Sequence, residues 1–322
     1  MADSTSTSTA TAVDPVTRSL APWSTKAECY WLFLTLSRLP EGVYDALESG
    51  DERCVGAKKN EDQVGKFVGG LGVIMIVRYR DTPVGPYDEL MIIPGNFTIP
   101  TSANTPPKIP KKALRIARIY VSQRTTTYNG RLNWNIPKHL ARFDFSAPVT
   151  PAGSSPPESL TVKVFTPGSK DGDGVNPFFA CTLKPWRWVP SVPVSSRWLP
   201  LSTVLAQPPV PEAPGFKAAV DVEVKKSVRT DEYDINPDLE ESILAGTEDW
   251  CLFPITSYAP RARGCWVTVH ETGKGGSNSE VGDQAANQEA VKSWPQDVRP
   301  WSIGAWMEDA ELGIPEPLKW KL

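Results

Sequence analysis

Ile136-Pro137-Lys138, with His139 and Leu140 after it, sets a lysine behind a proline in an apolar run. Burial strips water from an ammonium and lowers its pKa, as an amine needs if it is to attack a carbonyl. Lys138 is therefore the candidate nucleophile or base. Alternation along Tyr87 to Ile93 puts Tyr87, Glu89, Met91 and Ile93 on one strand face, which makes Glu89 a candidate acid among apolar neighbours. Arg131, Trp134, His139, Tyr87 and Tyr120 are the candidate substrate-binding residues. Three structural alternatives stand beside these roles: Lys138 as a surface lysine after a proline, Glu89 pairing with Arg131 or Arg118 inside the fold, and Arg131 bonding backbone or carboxylate groups beneath a pocket.

Other chemistries find few residues to carry them. The chain has only two histidines, His139 and His270, with no H-x-x-x-H pair and no G-x-S-x-G elbow, so neither a histidine metal centre nor a serine triad is expected. Asp171-Gly172-Asp173-Gly174 lacks the remaining ligands of a calcium loop and reads as an exposed turn. Gly69, Gly70 and Gly72 stand before the β-branched run Val73 to Val77, the reverse of a dinucleotide-binding order. They suit a bending strand or a close backbone approach. No metal and no cofactor are expected.

The elements that must position Lys138 read mainly as β, with a few short helices and long Pro-rich loops. Strands are expected over Cys29 to Leu36, Phe67 to Arg80, Tyr87 to Ile93 and Ala113 to Tyr128. Asn129-Gly130 predicts a tight hairpin after the last of these, since both residues tolerate positive φ. Gly42 to Ser49 suits one or two helical turns, and Asn96 to Lys112 a long loop over the surface or a pocket mouth. Further strands are expected at Leu160 to Phe165, Phe178 to Leu183, Ala218 to Val228, Cys251 to Ser257 and Cys265 to His270. Gly273 to Asn287 reads as a mobile loop, and the Trp-rich run Trp294 to Trp320 as a segment docked on the rest. Residues 1–19 read as a disordered tail and 20–322 as one domain, despite the Pro/Ser/Gly stretch from Ala147 to Pro157.

Gly130-Arg131, a spacer and Pro137-Lys138 together resemble the G-R-E-x(3)-P-K-K segment of the acetoacetate decarboxylase family, whose first lysine forms a Schiff base with a β-keto acid. Tyr87-Asp88-Glu89-Leu90 is similar to that family's strand bearing an acid, and Lys26-Ala27-Glu28-Cys29-Tyr30 to its first strand. The resemblance implies a cone-shaped β-barrel, Lys138 as Schiff-base nucleophile or base, and Glu89 as acid/base or orienting group. It also places His139 where the family has a second cation. Mostly neutral at pH 7, a histidine there drives deprotonation of Lys138 less. Ala27 stands at the family's first-strand arginine, with Lys26 adjacent and available for that role. No acid lies between Asn96 and Lys112 to match the family's second glutamate.

Composition bounds the partners. The chain has 322 residues, 40% hydrophobic, with 32 prolines and 12 tryptophans, enough to bury a large core. Net charge is -3 with no basic stretch, which argues against nucleic acid. The five cysteines, Cys29, Cys54, Cys181, Cys251 and Cys265, are widely spaced and read as buried free thiols of a reducing compartment. The longest apolar runs are too short to span a bilayer, and a soluble, cytoplasmic protein is expected. A homo-oligomer is left open. The functional reading is an enzyme acting on a carbonyl-bearing, β-keto or polyketide-like small molecule by lyase, dehydration or cyclisation chemistry, suited to secondary metabolism. Its alternatives are a barrel that promotes cyclisation by orientation alone and a ligand-binding protein without turnover.

Overall fold

A computed structural model describes residues 16–53, 61–102, 105–198, 202–217, 240–272, 292–295 and 297–322. The strand expected over 218–228, the loop over 273–287, Cys54 and the tail up to residue 15 lie outside the described residues. The tail's last positions are corrected: Val16 is buried, and the Ser19 N–H donates to Asn129 Oδ1 at 2.7 Å. Asn129 Nδ2 donates in turn to the Thr17 carbonyl at 2.8 Å.

The organising ribbon is β1 (Trp23–Leu36), antiparallel to both β2 (Phe67–Asp81) and β15 (Ile303–Ile314). β3 (Tyr87–Ile93) pairs with β2, and β6 (Arg118–Val121) with β3. β7 (Lys138–Leu140) then runs parallel to β6. Side-chain alternation sorts this ribbon into two buried faces. Cys29, Met75, Val77, Met91, Ile93 and Ile119 join one core cluster, while Tyr30, Leu32, Ile74, Ile76, Leu90 and Ile92 join the other. Burial on both faces explains why the strands read as nearly continuous apolar runs rather than alternating ones.

The remaining strands extend the sheet. On one side of β2 lie β4 (Asn96–Thr98), β5 (Lys112–Leu114), β12 (Val204–Gln207), β13 (Trp250–Pro254) and β16 (Leu318–Trp320). Beyond β15 come β14 (Thr256–Val269), β10 (Phe179–Pro185), β9 (Leu160–Phe165) and β8 (Arg142–Phe145), with β11 (Val192–Ser195) on β14. β8 and β9 pair across the Pro/Ser/Gly stretch. The fold is mostly β. The described pairings run from β16 at one edge to β8 at the other without joining, where the sequence reading expects a closed cone. The C-terminal segment is also corrected: β15 sits between β1 and β14 as part of the sheet, not docked onto it.

Gly69 and Gly70, at φ +72° and +103°, lie where β2 passes from β3 to β4. A Cβ on Gly69 would stand 2.7 Å from the Leu36 carbonyl oxygen, so the glycines do permit a bend and a close approach. Helices are few: α1 (Ala46–Ser49), capped by the Asp45 carboxylate on the Leu47 N–H, α2 (Glu61–Val64) and α3 (Arg124–Trp134). No helix among the described residues is long and apolar enough to cross a membrane.

α3 replaces the expected hairpin, and the expected strand over Ala113 to Tyr128 breaks into β5 and β6 before it. The helix starts at Gln123, whose side chain accepts from the Thr126 N–H at 3.3 Å, and stops at Asn135, held at φ +56°. Asn129 and Gly130 therefore lie inside a helix, and the left-handed residue comes later than the Asn-Gly pair suggests. Gly130 is needed for space: a Cβ there would lie 2.7 Å from Cδ and 2.8 Å from Cε of Lys138.

Candidate functional site

One cavity of about 220 Å³ lies against the β1, β2 and β3 face that carries Met75, Met91 and Ile93. The alternation expected of β3 holds, since Tyr87, Glu89, Met91 and Ile93 all line it. β3, β6 and β7 bring Lys138 to Glu89: Val121 is in register with Glu89, and Ile119, two residues away, with Lys138. The stem of Lys138 then lies along Gly130 of α3.

Lys138 Nζ donates to Glu89 Oε2 at 2.9 Å, to Thr126 Oγ1 at 2.8 Å and to the Tyr87 hydroxyl at 3.4 Å. These use all the N–H donors of an ammonium. Nζ also stands 4.9 Å from the centre of the Tyr87 ring. The Tyr79 hydroxyl donates to Glu89 Oε1 at 3.3 Å, and the Tyr79 and Tyr87 rings lie 4.4 Å apart. Lys138 and Glu89 are both buried. They are the only lysine, arginine or acid lining the cavity among the described residues.

The charge state differs from the sequence expectation. Burial alone pushes the Lys138 pKa down, but the Glu89 carboxylate, Tyr87 and their hydrogen bonds outweigh it and carry it above the ordinary lysine value. Lys138 is an ammonium at neutral pH. Tyr79 and Tyr87 are raised by burial first, with Glu89 adding to it, and stay neutral phenols.

Trp134 lines the cavity, its indole N–H donating to the Pro315 carbonyl at 2.7 Å. His139 does not. Next to Lys138 on a strand, it points to the opposite side, where Nε2 lies 2.8 Å from Glu48 Oε2 and Nδ1 3.5 Å from Glu240 Oε1. Burial lowers its pKa, but Glu48, Asp45 and the bonds to Glu240 and Glu48 raise it to about 10. It is a cation, not the neutral ring expected. Arg131 is buried outside the cavity lining, donating to Glu48 Oε1 at 2.9 Å and to the carbonyls of Ala245 at 2.9 Å and Pro211 at 2.6 Å. Tyr120 faces the other core cluster, donating to the Ser293 carbonyl at 2.6 Å. Those three residues do not touch the cavity.

Other expectations also change. Glu89 pairs with Lys138 rather than with Arg131 or Arg118. Lys26 is exposed and cannot take the place of a first-strand arginine. Asp45, Glu48 and His139 gather within 4.8 Å, although the sequence separates them widely. With Glu48 bound to Arg131 and to a protonated imidazole, this set offers protons rather than lone pairs and does not fit a metal ion. Cys29, Cys181, Cys251 and Cys265 are free and buried, and burial raises each thiol, Cys251 to about 12. None suits nucleophilic work.

Sequence reasoning missed Thr126, hidden by the strand reading of its segment, and Tyr79, whose alternation with Val77 on β2 is the signal that finds it. It also missed the wall residues Trp23, Trp31 and Phe33.

No family model and no curated protein matches the chain. Solved structures to which it is similar include the acetoacetate decarboxylase of Legionella pneumophila subsp. pneumophila str. Philadelphia 1, at 10% identity and TM-score 0.47, covering 98% of this chain and 92% of that one. An acetoacetate decarboxylase-like enzyme from Sphingomonas wittichii RW1 is similar at 8% identity and TM-score 0.45, over 96% and 94% of the two chains. The enduracididine biosynthesis enzyme MppR, complexed with pyruvate, is similar at 10% identity and TM-score 0.44, over 94% and 91%.

Proposed function

We propose that this chain is a divergent acetoacetate decarboxylase-like enzyme, with the described residues from Val16 onward as one domain, that acts on a carbonyl-bearing small molecule held in the cavity beside Lys138 and Glu89. The observation that carries this reading is the 2.9 Å ammonium–carboxylate contact, buried at one end of a cavity with no other lysine, arginine or acid in its described lining. In such a place an ammonium polarises a carbonyl oxygen, and the neighbouring carboxylate removes a proton from the adjacent carbon. The resulting enolate is stabilised by Lys138, still protonated, while Glu89 carries the abstracted proton. From that species ring closure, dehydration or C–C cleavage can follow, with Glu89 returning its proton.

A second reading rests on the same contact. Transfer of a proton from Nζ to Glu89 gives a neutral amine and a neutral acid with no change of net charge, a form whose cost relative to the resting ion pair falls as a bound substrate excludes water. Lys138 would then attack the carbonyl to give a carbinolamine, whose hydroxyl would take the proton from Glu89 and leave as water, forming the protonated Schiff base that sequence resemblance implies. A decarboxylase needs a cation for the substrate carboxylate, and Lys138, the only lysine or arginine in the described lining, is occupied as catalyst. Chemistry on neutral ketones or 1,3-diketones therefore fits better than decarboxylation of a β-keto acid.

The test incubates wild type and Lys138→Met with a panel of β-keto acids, 1,3-diketones and aryl methyl ketones, follows consumption by mass spectrometry, and then adds borohydride. Consumption that needs Lys138 is expected. An adduct on Lys138 selects the imine route, and turnover without an adduct selects acid/base work. Turnover retained in Lys138→Met would assign the cavity to catalysis by orientation, and binding without consumption would make the protein a binder; either result overturns the proposal.

A further inference from the structure

The cavity carries its charged pair at one end and Trp31 and Phe33 at the other, and the sheet sets the distance between them. Val77 pairs with Glu89 and with Cys29, whereas Val73 pairs with Ile93 and with Phe33. The far end is therefore four strand residues from the Lys138–Glu89 contact, about 13 Å at roughly 3.3 Å per residue. Lys138, Glu89 and Tyr87 are buried, while Trp31, Phe33, Leu71 and Thr203, all lining the cavity, are half-buried. The cavity thus reaches solvent at the Phe33 end.

An aromatic row continues outward from that end. Trp31 and Phe33 stand 6.3 Å apart edge to face, and Phe33 lies 6.1 Å from Trp301, which is 46% exposed. Trp301 is pinned there by its N–H, which donates to the Phe33 carbonyl at 2.7 Å. A large exposed indole whose backbone is held beside a cavity mouth presents a broad apolar surface with only two side-chain torsions to order. Neither acid/base work nor imine formation at Lys138 uses it.

From this juxtaposition we infer a tail subsite: the substrate carries its carbonyl head on Lys138 and a flat, conjugated or aryl tail, about 13 Å away, on Trp31, Phe33 and Trp301. The inference rests on the reading of Lys138 and Glu89 given above for the head, and on the aromatic row alone for the tail. Short keto acids fill only the polar end. The subsite therefore makes tail length and flatness the specificity determinant.

The test measures Kd by tryptophan fluorescence for three 1,3-diketones that share an acetyl end and carry methyl, phenyl or biphenyl at the other. Wild type, Trp301→Ala, Trp301→Phe and Lys138→Met are compared, with folding checked by melting temperature. Expected is tighter binding of the biphenyl than the methyl probe by about tenfold or more, a ratio cut at least about threefold in Trp301→Ala and kept in Trp301→Phe. Lys138→Met weakens all three probes alike if the head reading holds. A biphenyl-to-methyl ratio near one in wild type, or one unmoved by Trp301→Ala, overturns the tail subsite. A normal ratio with Lys138→Met binding all probes as wild type leaves the tail subsite standing and overturns the head assignment alone.

Discussion

Replacing Lys138 by Met removes the ammonium but keeps much of its stem, and it should leave Glu89 in a predictable difficulty. At 2.9 Å, two unit charges in a medium of effective dielectric constant about 20 attract by roughly 6 kcal/mol before desolvation is counted. Desolvating both ions offsets most of that, so the intact pair adds little net stability. Breaking it is different, because the variant retains a buried carboxylate whose remaining hydrogen bond is the Tyr79 hydroxyl on Oε1. Leaving such a charge unpaired costs about 3 to 5 kcal/mol. Glu89 can escape only by taking up a proton, which raises its folded pKa above the unfolded value near 4.3. An acid so raised loses stability as pH climbs from the unfolded towards the folded pKa, at about 1.4 kcal/mol per unit. The deficit of Lys138→Met relative to wild type should therefore be small near pH 4.5, grow through pH 6 and level at about 3 to 5 kcal/mol. Urea unfolding at half-unit steps from pH 4.5 to 8.5 reads it, and Lys138→Met/Glu89→Gln should remove the slope. A deficit independent of pH, or a slope that survives in the double variant, would refute the buried-pair account.

Gly130→Ala improves helix propensity by up to about 1 kcal/mol, yet its methyl would meet Cδ and Cε of Lys138. It should leave the melting temperature within a few degrees and cut turnover of any Lys138-dependent substrate by about tenfold or more, since displacing a reacting group by an ångström is costly. On the other side of β7, His139 rises from 6.5 to about 10, so its contribution is complete below about pH 6.5 and lost as pH rises through about 10. Glu48, lowered to about 2, gives the acid limb of the same contact, present above about 4.5 and lost as pH falls towards 2. His139→Gln should destabilise the protein by about 3 kcal/mol at pH 7 and flatten the fall in melting temperature between pH 7 and 10; an unchanged slope would contradict the ion pair.

The strands were legible because both faces of the central ribbon are buried, leaving apolar runs such as Val73 to Val77 and Leu90 to Ile93 that few other structures tolerate. Lys138 stood out between Ile136 and Leu140, and Glu89 as the one charge on the strand face of Tyr87, Met91 and Ile93. What misled was local chemistry with two uses. Asn-Gly signals positive φ, but Gly130 is required for the absence of a side chain against Lys138, and Asn129 for bonds to Thr17, Arg18 and Ser19. The sign of the Lys138 shift was not readable either. Burial lowers a lysine pKa until a carboxylate arrives from elsewhere in the chain, and only tertiary pairing shows that Glu89 comes to Lys138 while Glu48 comes to His139. Alternation across β7 separates the two cations, which spacing alone suggested would act together.

Carbonyl chemistry at Lys138 and Glu89 is tested most directly by solvent deuterium exchange. A methyl ketone bearing an aryl tail would be held in D2O with wild type, Glu89→Gln or Lys138→Met, and loss of its α-proton signals followed by NMR. Enolisation and imine formation both exchange those protons, so the measurement does not depend on the later bond chemistry. Exchange above the buffer rate is expected in wild type, reduced by about a hundredfold or more in each variant. Exchange no faster than buffer, or equally fast in all three proteins, would contradict carbonyl chemistry at this pair.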